Sequence, residues 1–148
     1  MDAKLTKILF TLGPEALIGG TETMWAEDLG GGRYLLRNSP FYAFGVSFED
    51  IVRGEFSEGF IEFREVLERS GHSTFRLFLL NRRKLDAPDF VQAWARLQAL
   101  GCSFEQGVVL SVDVPPTTDI EAVWRLLSEG ESAGIWEFDE GHCDRRLG

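Results

Sequence analysis

Residues 74–140 contain a strand–helix–strand pattern twice, and this repeat restricts the fold of the chain more than any other feature of the sequence. The first unit begins with the strand "STFRLFLL" and continues with the helix "DAPDFVQAWARLQALG". Pro88 lies in the first turn of this helix and Gly101 ends it, as is common at these two positions. One face of the helix carries Phe90, Val91, Trp94 and Leu97. The short strand "CSFEQG" completes the unit.

The second unit repeats this order with the strand "VVLSVDVPP", the helix "TTDIEAVWRLLSEG" and the strand "GIWEFDE". One face of its first strand carries Val108, Leu110, Val112 and Val114. Thr118 and Glu121 have the spacing of a capping box at the start of the helix. The apolar stripe of the helix consists of Ile120, Val123, Trp124 and Leu127. Each helix ends at a glycine.

A βαββαβ order predicts a ferredoxin-like sandwich, in which both helices cover one face of a four-stranded antiparallel sheet. We expect the opposite face to carry Arg76, Phe78, Val109, Ser111 and Asp113, together with Trp136 or Phe138. Because the helices cannot reach that face, either the rest of the chain or a partner must cover it.

Residues 21–69 have a different sequence pattern, in which short apolar stretches are separated by glycine-rich turns. The segments "TETMWAE", "DLGGGR" and "RYLLRN" are typical of a hairpin, since consecutive glycines allow positive φ in the turn. Four or five such strands predict a small SH3-like barrel. The predicted fold class is therefore α+β, with an N-terminal small SH3-like β-barrel followed by a C-terminal ferredoxin-like βαββαβ sandwich.

The same patterns set the expected boundaries. Residues 1–20 form an N-terminal segment with room for one strand, and residues 21–73 form the barrel. Residues 74–140 form the ferredoxin-like lobe, and residues 141–148 form a frayed tail.

The 148-residue chain carries 24 acidic and 15 basic residues, for a formal net charge of −9. This charge repels a phosphate backbone, so we expect no nucleic-acid partner and a basic protein partner instead. The only basic run, Arg82-Arg83-Lys84, could bind a phosphate but is more typical of a solvated loop. The start of the chain lacks the apolar core of a signal peptide, and no apolar run has the length of a membrane span. With only two cysteines, we expect a cytoplasmic protein without membrane contact.

The stretch "SGHSTFRL", residues 70–77, carries one of the two histidines between a glycine and two hydroxyls. His72, Asp50 and Ser73 are weak candidates for a catalytic group, with Ser70 as an alternative nucleophile and Arg76 as an anion-stabilising cation. However, neighbouring side chains in an extended segment point in opposite directions, which separates His72 from Ser73. The structural alternative is a turn that connects the barrel to the sheet, with Gly71 supplying its geometry.

No nucleophile elbow, zinc-protease motif or phosphate-binding loop occurs in the chain. The soft metal ligands are His72, His142, Cys102 and Cys143, and they lack the paired spacing of a zinc site. We therefore expect no metal and no cofactor.

The segments "ETMWAEDLGGGRYLLRNSPFYAFGVSFEDIV" and "SGHSTFRL" resemble a bacterial family known as domain of unknown function 4265. The matching residues are Glu22, Trp25, Ala26, Glu27, Gly32, Tyr34, Asn38, Pro40, Phe41, Ser47, Asp50, Ser70, Gly71, Ser73, Thr74 and Arg76. The family pattern has a glycine before the aspartate, where this chain has Glu49. The resemblance implies no known activity.

The residues that we expect to bind a partner are Arg76, His72, Asp50, Trp25, Tyr34 and Asn38.

Three functional hypotheses remain open from the sequence. The first is a non-enzymatic binding or regulatory protein that recognises a basic protein, for example an immunity protein that neutralises a toxin. The second is a small-ligand sensor that dimerises through ferredoxin-like sheets, by analogy with other proteins of that fold. The third is a small hydrolase that uses His72. The sequence favours a protein that is not an enzyme.

Overall fold

The structure is a computed structural model that describes residues 4–14, 16 and 19–144. Within these residues the chain forms nine strands and two helices. The first five strands are β1 Leu5–Thr11, β2 Thr21–Gly30, β3 Arg33–Leu36, β4 Ile51–Ser57 and β5 Phe60–Glu68. The remaining elements are β6 Ser73–Leu79, α1 Pro88–Ala99, β7 Ser103–Gln106, β8 Leu110–Val114, α2 Ile120–Ser132 and β9 Trp136–His142.

The N-terminal lobe is a five-stranded sheet, β1 to β5, in which consecutive strands are antiparallel. Strand β1 also pairs in parallel with β5, at Ile8–Ile61 and Leu9–Glu62, so the sheet closes on itself. Alternate residues point inward because side chains alternate along a strand. The buried core of this lobe includes Ile8, Phe10, Met24, Ala26, Leu36 and Val52.

The C-terminal lobe is a four-stranded sheet in the order β7-β8-β6-β9, with all pairs antiparallel. Helices α1 and α2 contribute Phe90, Trp94, Leu97, Val123 and Leu127 to the core that they share with this sheet. Trp136 lies on this helix-covered side, where its indole N–H donates to the Leu127 carbonyl at 2.9 Å. Phe138 lies there too, with its ring 5.2 Å from that of Trp124. Neither aromatic residue is on the opposite face, where we expected one of them.

The predicted fold class is wrong. The described residues are mostly β, with sheets of five and four strands and two helices, rather than an SH3-like barrel followed by a ferredoxin-like sandwich. Strand β1 belongs to the first sheet although it lies outside residues 21–73, and its parallel contact with β5 joins the two ends of that sheet. The second lobe follows the βαββαβ order only loosely, because β7 spans only four residues and β8 only five.

Several predicted element ends are also corrected. Strand β8 begins at Leu110 because Gly107 N–H donates to the Val109 carbonyl in a turn that leaves Val108 93% exposed. Asp119, not Thr118, caps α2, since its carboxylate accepts from the backbone N–H groups of residues 121 and 122. Gly130 lies inside α2 rather than at its end.

The predicted tail, residues 141–148, starts within β9, which extends to His142. Residues 145–148 lie outside the described residues. Neither helix in the described part of the chain is long and apolar enough to cross a membrane.

The connection between β3 and β4, residues 37–50, covers the face of the second sheet that the helices leave open. Ser111 Oγ donates to the Pro40 carbonyl at 2.6 Å, and Arg76 Nη1 donates to the Ala43 carbonyl at 2.7 Å. The ring of Phe41 lies so close to Gly107 that a Cβ there would be 2.8 Å from it. The rest of the chain therefore covers this face, which places the two lobes in direct contact.

Candidate functional site

The stretch "SGHSTFRL" lies where the two lobes meet, between the end of β5 and the start of β6. Gly71 has φ of +92°, and a Cβ at this position would be 3.1 Å from the ring of Pro116. His72 follows in the turn, with its imidazole only 13% exposed. The turn geometry thus directs the His72 ring towards the contact between the lobes.

Carboxylates flank both nitrogens of His72. Nδ1 lies 2.8 Å from Oδ1 of Asp113 on β8, and Nε2 lies 3.7 Å from Oε1 of Glu49 in the β3–β4 connection. The ring of Phe48 packs edge-on against the imidazole at 5.4 Å between centroids. His72 therefore joins the two lobes through a group from each of them.

Glu49 holds this position in a left-handed backbone conformation, with φ of +67°. Residues other than glycine, asparagine and aspartate seldom adopt this region, and such strain often accompanies function. A glycine would adopt it without cost, but only a side chain can reach His72 and Arg37. The Glu49 carboxylate lies 3.7 Å from Nη1 of Arg37.

Asp113 is the most perturbed carboxyl group at this junction. Burial raises its pKa above the ordinary value, and the nearby charges of Glu49 and Glu105 raise it further. The contact with His72 acts in the opposite direction but does not cancel these effects. In this structure the contact with His72 therefore offsets only part of the cost of burying an ionised Asp113.

A cleft of about 250 Å³ opens beside the pair of His72 and Asp113. We call it the interlobe cleft. The β3–β4 connection contributes Arg37, Ser39 and Phe48 to its lining. Strands β7 and β8 contribute Ser103, Phe104, Glu105, Ser111 and Asp113.

Glu105 is held in the wall of the interlobe cleft by neutral donors. Asn38 Nδ2 donates to its Oε1 at 3.1 Å, and the backbone N–H of Ser39 donates to its Oε2. Asn38 in turn accepts at Oδ1 from the backbone N–H of Trp25 at 2.6 Å. Because these donors are uncharged, they fix the carboxylate without neutralising it.

Negatively charged side chains outnumber positively charged ones in the lining of the interlobe cleft. Its lining includes the carboxylates of Glu105 and Asp113 and one permanent cation, Arg37, which also lies 3.6 Å from Glu27. Glu49 is not part of the lining, but its charge also acts on Asp113. This arrangement suits a cationic group more than an anion.

Comparison with known proteins agrees with the resemblance seen in the sequence. The sequence profile described as "Domain of unknown function (DUF4265)" matches residues 22–138, which is most of the chain. The chain belongs to the DUF4265 family.

A solved structure supports the fold of this DUF4265 member. It is described as "Novel crystal structure of a hypothetical protein from Neisseria gonorrhoeae" and has 19% sequence identity with this chain. The TM-score is 0.80, and the match covers 99% of this chain and 100% of that one. At this level of identity, the similarity concerns the fold alone. No curated protein matches the chain significantly.

Three of the catalytic candidates of this DUF4265 chain, Asp50, Ser73 and Ser70, make hydrogen bonds that stabilise the structure. Asp50 is buried, and its carboxylate accepts from the backbone N–H groups of Ser47 at 2.9 Å and Ser70 at 2.8 Å. Ser73 is fully buried and accepts from the backbone N–H of Asp144 at 3.0 Å. Ser70 Oγ donates to the Phe48 carbonyl at 2.7 Å. These three residues thus stabilise the turn and its neighbours.

Arg76 is also structural, and it is 98% buried. Its Nε donates to Asp139 Oδ1 at 3.0 Å, and its guanidinium lies 4.6 Å from the ring centroid of Phe44. Together with the bond to Ala43, these contacts connect β6, β9 and the β3–β4 connection. The residue therefore has no surface at which to bind a partner.

The remaining predicted binding residues lie apart from one another. Tyr34 is buried in the first sheet, where burial and the charge of Asp28 raise the pKa of its hydroxyl. Trp25 is 44% exposed on the outer side of β2, with the Lys7 ammonium 4.9 Å from its ring centroid. Of the six residues, His72 and Asn38 are the two whose side chains hydrogen-bond to groups in the lining of the interlobe cleft, namely Asp113 and Glu105.

Sequence reasoning did not assign Glu49, Glu105 or Arg37 to a site. Asp113 was placed on the correct sheet face, but nothing in the sequence associates it with His72, which lies 41 residues away. One available signal was the glycine position of the family pattern, since a glutamate there indicates a side chain maintained in a strained conformation.

Within the described residues no group of three or more His, Cys, Asp and Glu side chains is arranged to hold a metal ion.

Proposed function

We propose that this DUF4265 protein is a non-enzymatic binding protein that recognises a basic protein partner in the bacterial cytoplasm. In this proposal, a lysine or arginine side chain of the partner enters the interlobe cleft between Asp113 and Glu105. The observation that carries the proposal is the pair of carboxylates, Glu105 and Asp113, that line one cleft, with Asp113 buried enough to raise its pKa.

A cation in the interlobe cleft would improve the electrostatics of the residues already there. It would offset the desolvation of Asp113 and the repulsion that Glu49 and Glu105 exert on it. Three serines that line the cleft, at positions 39, 103 and 111, place further polar groups around a bound ammonium or guanidinium group. The volume of about 250 Å³ is small, which suits the end of one side chain.

The overall charge of the chain supports the same kind of partner. A net charge of −9 attracts basic proteins at long range and accelerates their association at low salt. Attraction of this kind weakens as ionic strength rises. An inhibitor of a basic toxin is one form that such a protein could take.

The geometry of His72 is less suited to a hydrolase. A general base for a nucleophile needs one ring nitrogen within hydrogen-bond reach of a hydroxyl or thiol. Here both nitrogens face carboxylates, and the adjacent Ser73 is fully buried. A ligand sensor formed by paired sheets stays a prediction, and no contact in the described residues favours it over a binding protein.

Affinity capture tests the proposal when three forms of the intact chain are compared. The wild-type protein, Asp113→Asn and Glu58→Gln are immobilised and exposed to lysate of the source organism at low salt. Asp113→Asn removes the charge but keeps an acceptor for His72. Glu58→Gln removes a charge from the exposed turn between β4 and β5, which has no role in the cleft.

We expect a basic protein to be retained by the wild type and by Glu58→Gln and to be lost from Asp113→Asn. Glu105→Gln should weaken capture as well, which provides a second variant if Asp113→Asn folds poorly. Capture of acidic proteins only, or equal capture by all forms, would contradict the proposal.

A further inference from the structure

A second cavity, larger than the interlobe cleft, lies in the C-terminal lobe. Strands β7 and β8 separate it from the interlobe cleft. Its volume is about 550 Å³, and it lies between the β6–α1 loop and the β7–β8 turn. Its apolar lining consists of Leu77, Leu79, Leu85 and Leu110, and we call it the leucine pocket. It shares no lining residue with the interlobe cleft.

The apolar part of the leucine pocket is formed by side chains that are packed into the core. Leu77 and Leu110 are buried members of the core beneath the helices, and Leu79 and Leu85 pack against the same core. A pocket of this volume with a fixed apolar floor is within the size range of small-molecule sites.

The rim of the leucine pocket is basic, although the chain as a whole is acidic. Arg83 and Lys84 line it together with Asp86, and Asp89 pairs with Arg83 from outside the lining. Among the residues that the structure describes, Lys84 has no ion pair or side-chain hydrogen bond. Its ammonium group is exposed and available to an anion.

Arg83 is held rigidly at the same rim. Its Nε donates to both carboxylate oxygens of Asp89, at 3.1 and 2.9 Å. Its Nη1 donates to the carbonyls of Leu80 at 2.9 Å and Gly134 at 2.8 Å. The Nη2 amino group has no partner within the described part of the chain. A guanidinium fixed in this way offers one amino group to a ligand at little entropic cost.

Val108 stands at the mouth of the leucine pocket and is 93% exposed. A valine this exposed at a turn contributes nothing to the core. It extends the apolar floor outward, next to the cationic rim.

We propose that the leucine pocket binds a monocarboxylate with a medium-length aliphatic chain. The aliphatic body lies on the leucines and Val108, and the carboxylate lies between Arg83 Nη2 and Lys84. A doubly charged phosphate fits this site less well, because the pocket is apolar beneath its rim and Asp86 is close. This site is separate from the interlobe cleft, and its function does not depend on the protein partner.

Titration of the full-length protein with octanoate, followed by amide chemical shifts, tests this assignment. We expect shifts in residues 77–79, 83–86 and 106–110, and weaker or absent shifts with octanamide, octylamine and inorganic phosphate. Octanamide tests whether a charge is needed, octylamine tests whether the charge must be negative, and phosphate tests whether the aliphatic chain is needed.

Three variants complete the test. Lys84→Gln and Val108→Glu should each weaken octanoate binding by about two- to fivefold, the effect of one exposed charge contact. Lys7→Gln, which removes the same charge from the other lobe, should leave binding unchanged. The proposal is overturned if octanoate and octanamide bind equally, if the shifts lie elsewhere or are absent, or if Lys84→Gln and Val108→Glu both bind like the wild type.

Discussion

Arg76 shows how one residue connects the parts of this molecule. Its side chain is 98% buried, and it contacts Asp139 on β9, the Ala43 carbonyl and the Phe44 ring. Gly141 leaves room for it, since a Cβ there would be 2.8 Å from Nη1. The planar guanidinium makes contacts that an ammonium group cannot reproduce together.

Replacing Arg76 with lysine should therefore destabilise the protein. We expect Arg76→Lys to lower the free energy of unfolding by about 2 kcal/mol, because a lysine cannot make the hydrogen bonds to both Asp139 and Ala43. Urea denaturation measures this change. Arg96→Lys is the control, because its ion pair with Glu129 is exposed and should contribute at most about 1 kcal/mol. Equal effects of the two substitutions would contradict this role of Arg76.

Asp113 should make stability depend on pH in a particular direction. Because its pKa is raised in the folded state, the folded protein retains a proton that the unfolded chain has lost. Over the interval between the unfolded pKa, about 3.9, and the higher folded pKa, stability falls as pH rises.

Asp113→Asn has no such proton to lose, so its stability relative to the wild type should increase as pH rises through that interval. Urea denaturation of both proteins at a series of pH values from about pH 4, close to the unfolded pKa, upwards measures this. Asp86→Asn is the matched control, since Asp86 is exposed. A difference between Asp113→Asn and wild type that stays constant or shrinks with pH would disprove the assignment.

Among the elements, α2 and β9 depend on one close approach. A Cβ on Gly130 would lie 2.2 Å from Cζ2 of Trp136, and the Trp136 indole is bonded to the α2 backbone. Gly130→Ala should therefore destabilise the protein by about 3 kcal/mol, at the upper end for overpacked cores. Thermal or urea denaturation measures this, with Gly19→Ala as control because a Cβ at Gly19 would have no atom within 4 Å. Similar stability of both variants would argue against this packing.

The sequence predicted elements with strong local signals and missed those without them. Helix α1 runs from Pro88 to Ala99, as expected from the proline in its first turn and the glycine after its end. The start of β8 was placed too early, because Val108 continues the apolar alternation although the chain is still in a turn there. Alternation indicates which face a residue shares, not where pairing begins.

The interlobe cleft could not be predicted because its parts are distant in sequence. The β3–β4 connection, residues 37–50, has no regular secondary structure, yet it covers a sheet face, supplies Arg37 to the lining of the cleft and places Glu49 next to His72. Glu105 reaches this connection through Asn38, a contact across 67 residues. No local pattern encodes such contacts, so the sequence indicated His72, Asn38 and the sheet face of Asp113 but not their association.

At the scale of the whole molecule, two lobes enclose an acidic cleft in a chain that is itself acidic. The most direct test of the proposed function is hydrogen–deuterium exchange of the protein alone and with the basic partner that it captures. Partner binding should slow amide exchange in residues 37–49 and 103–106, which border the interlobe cleft. Slower exchange confined to other surfaces, such as the outer side of β1 and β2 around Trp25, with unchanged exchange around the cleft, would contradict the proposal.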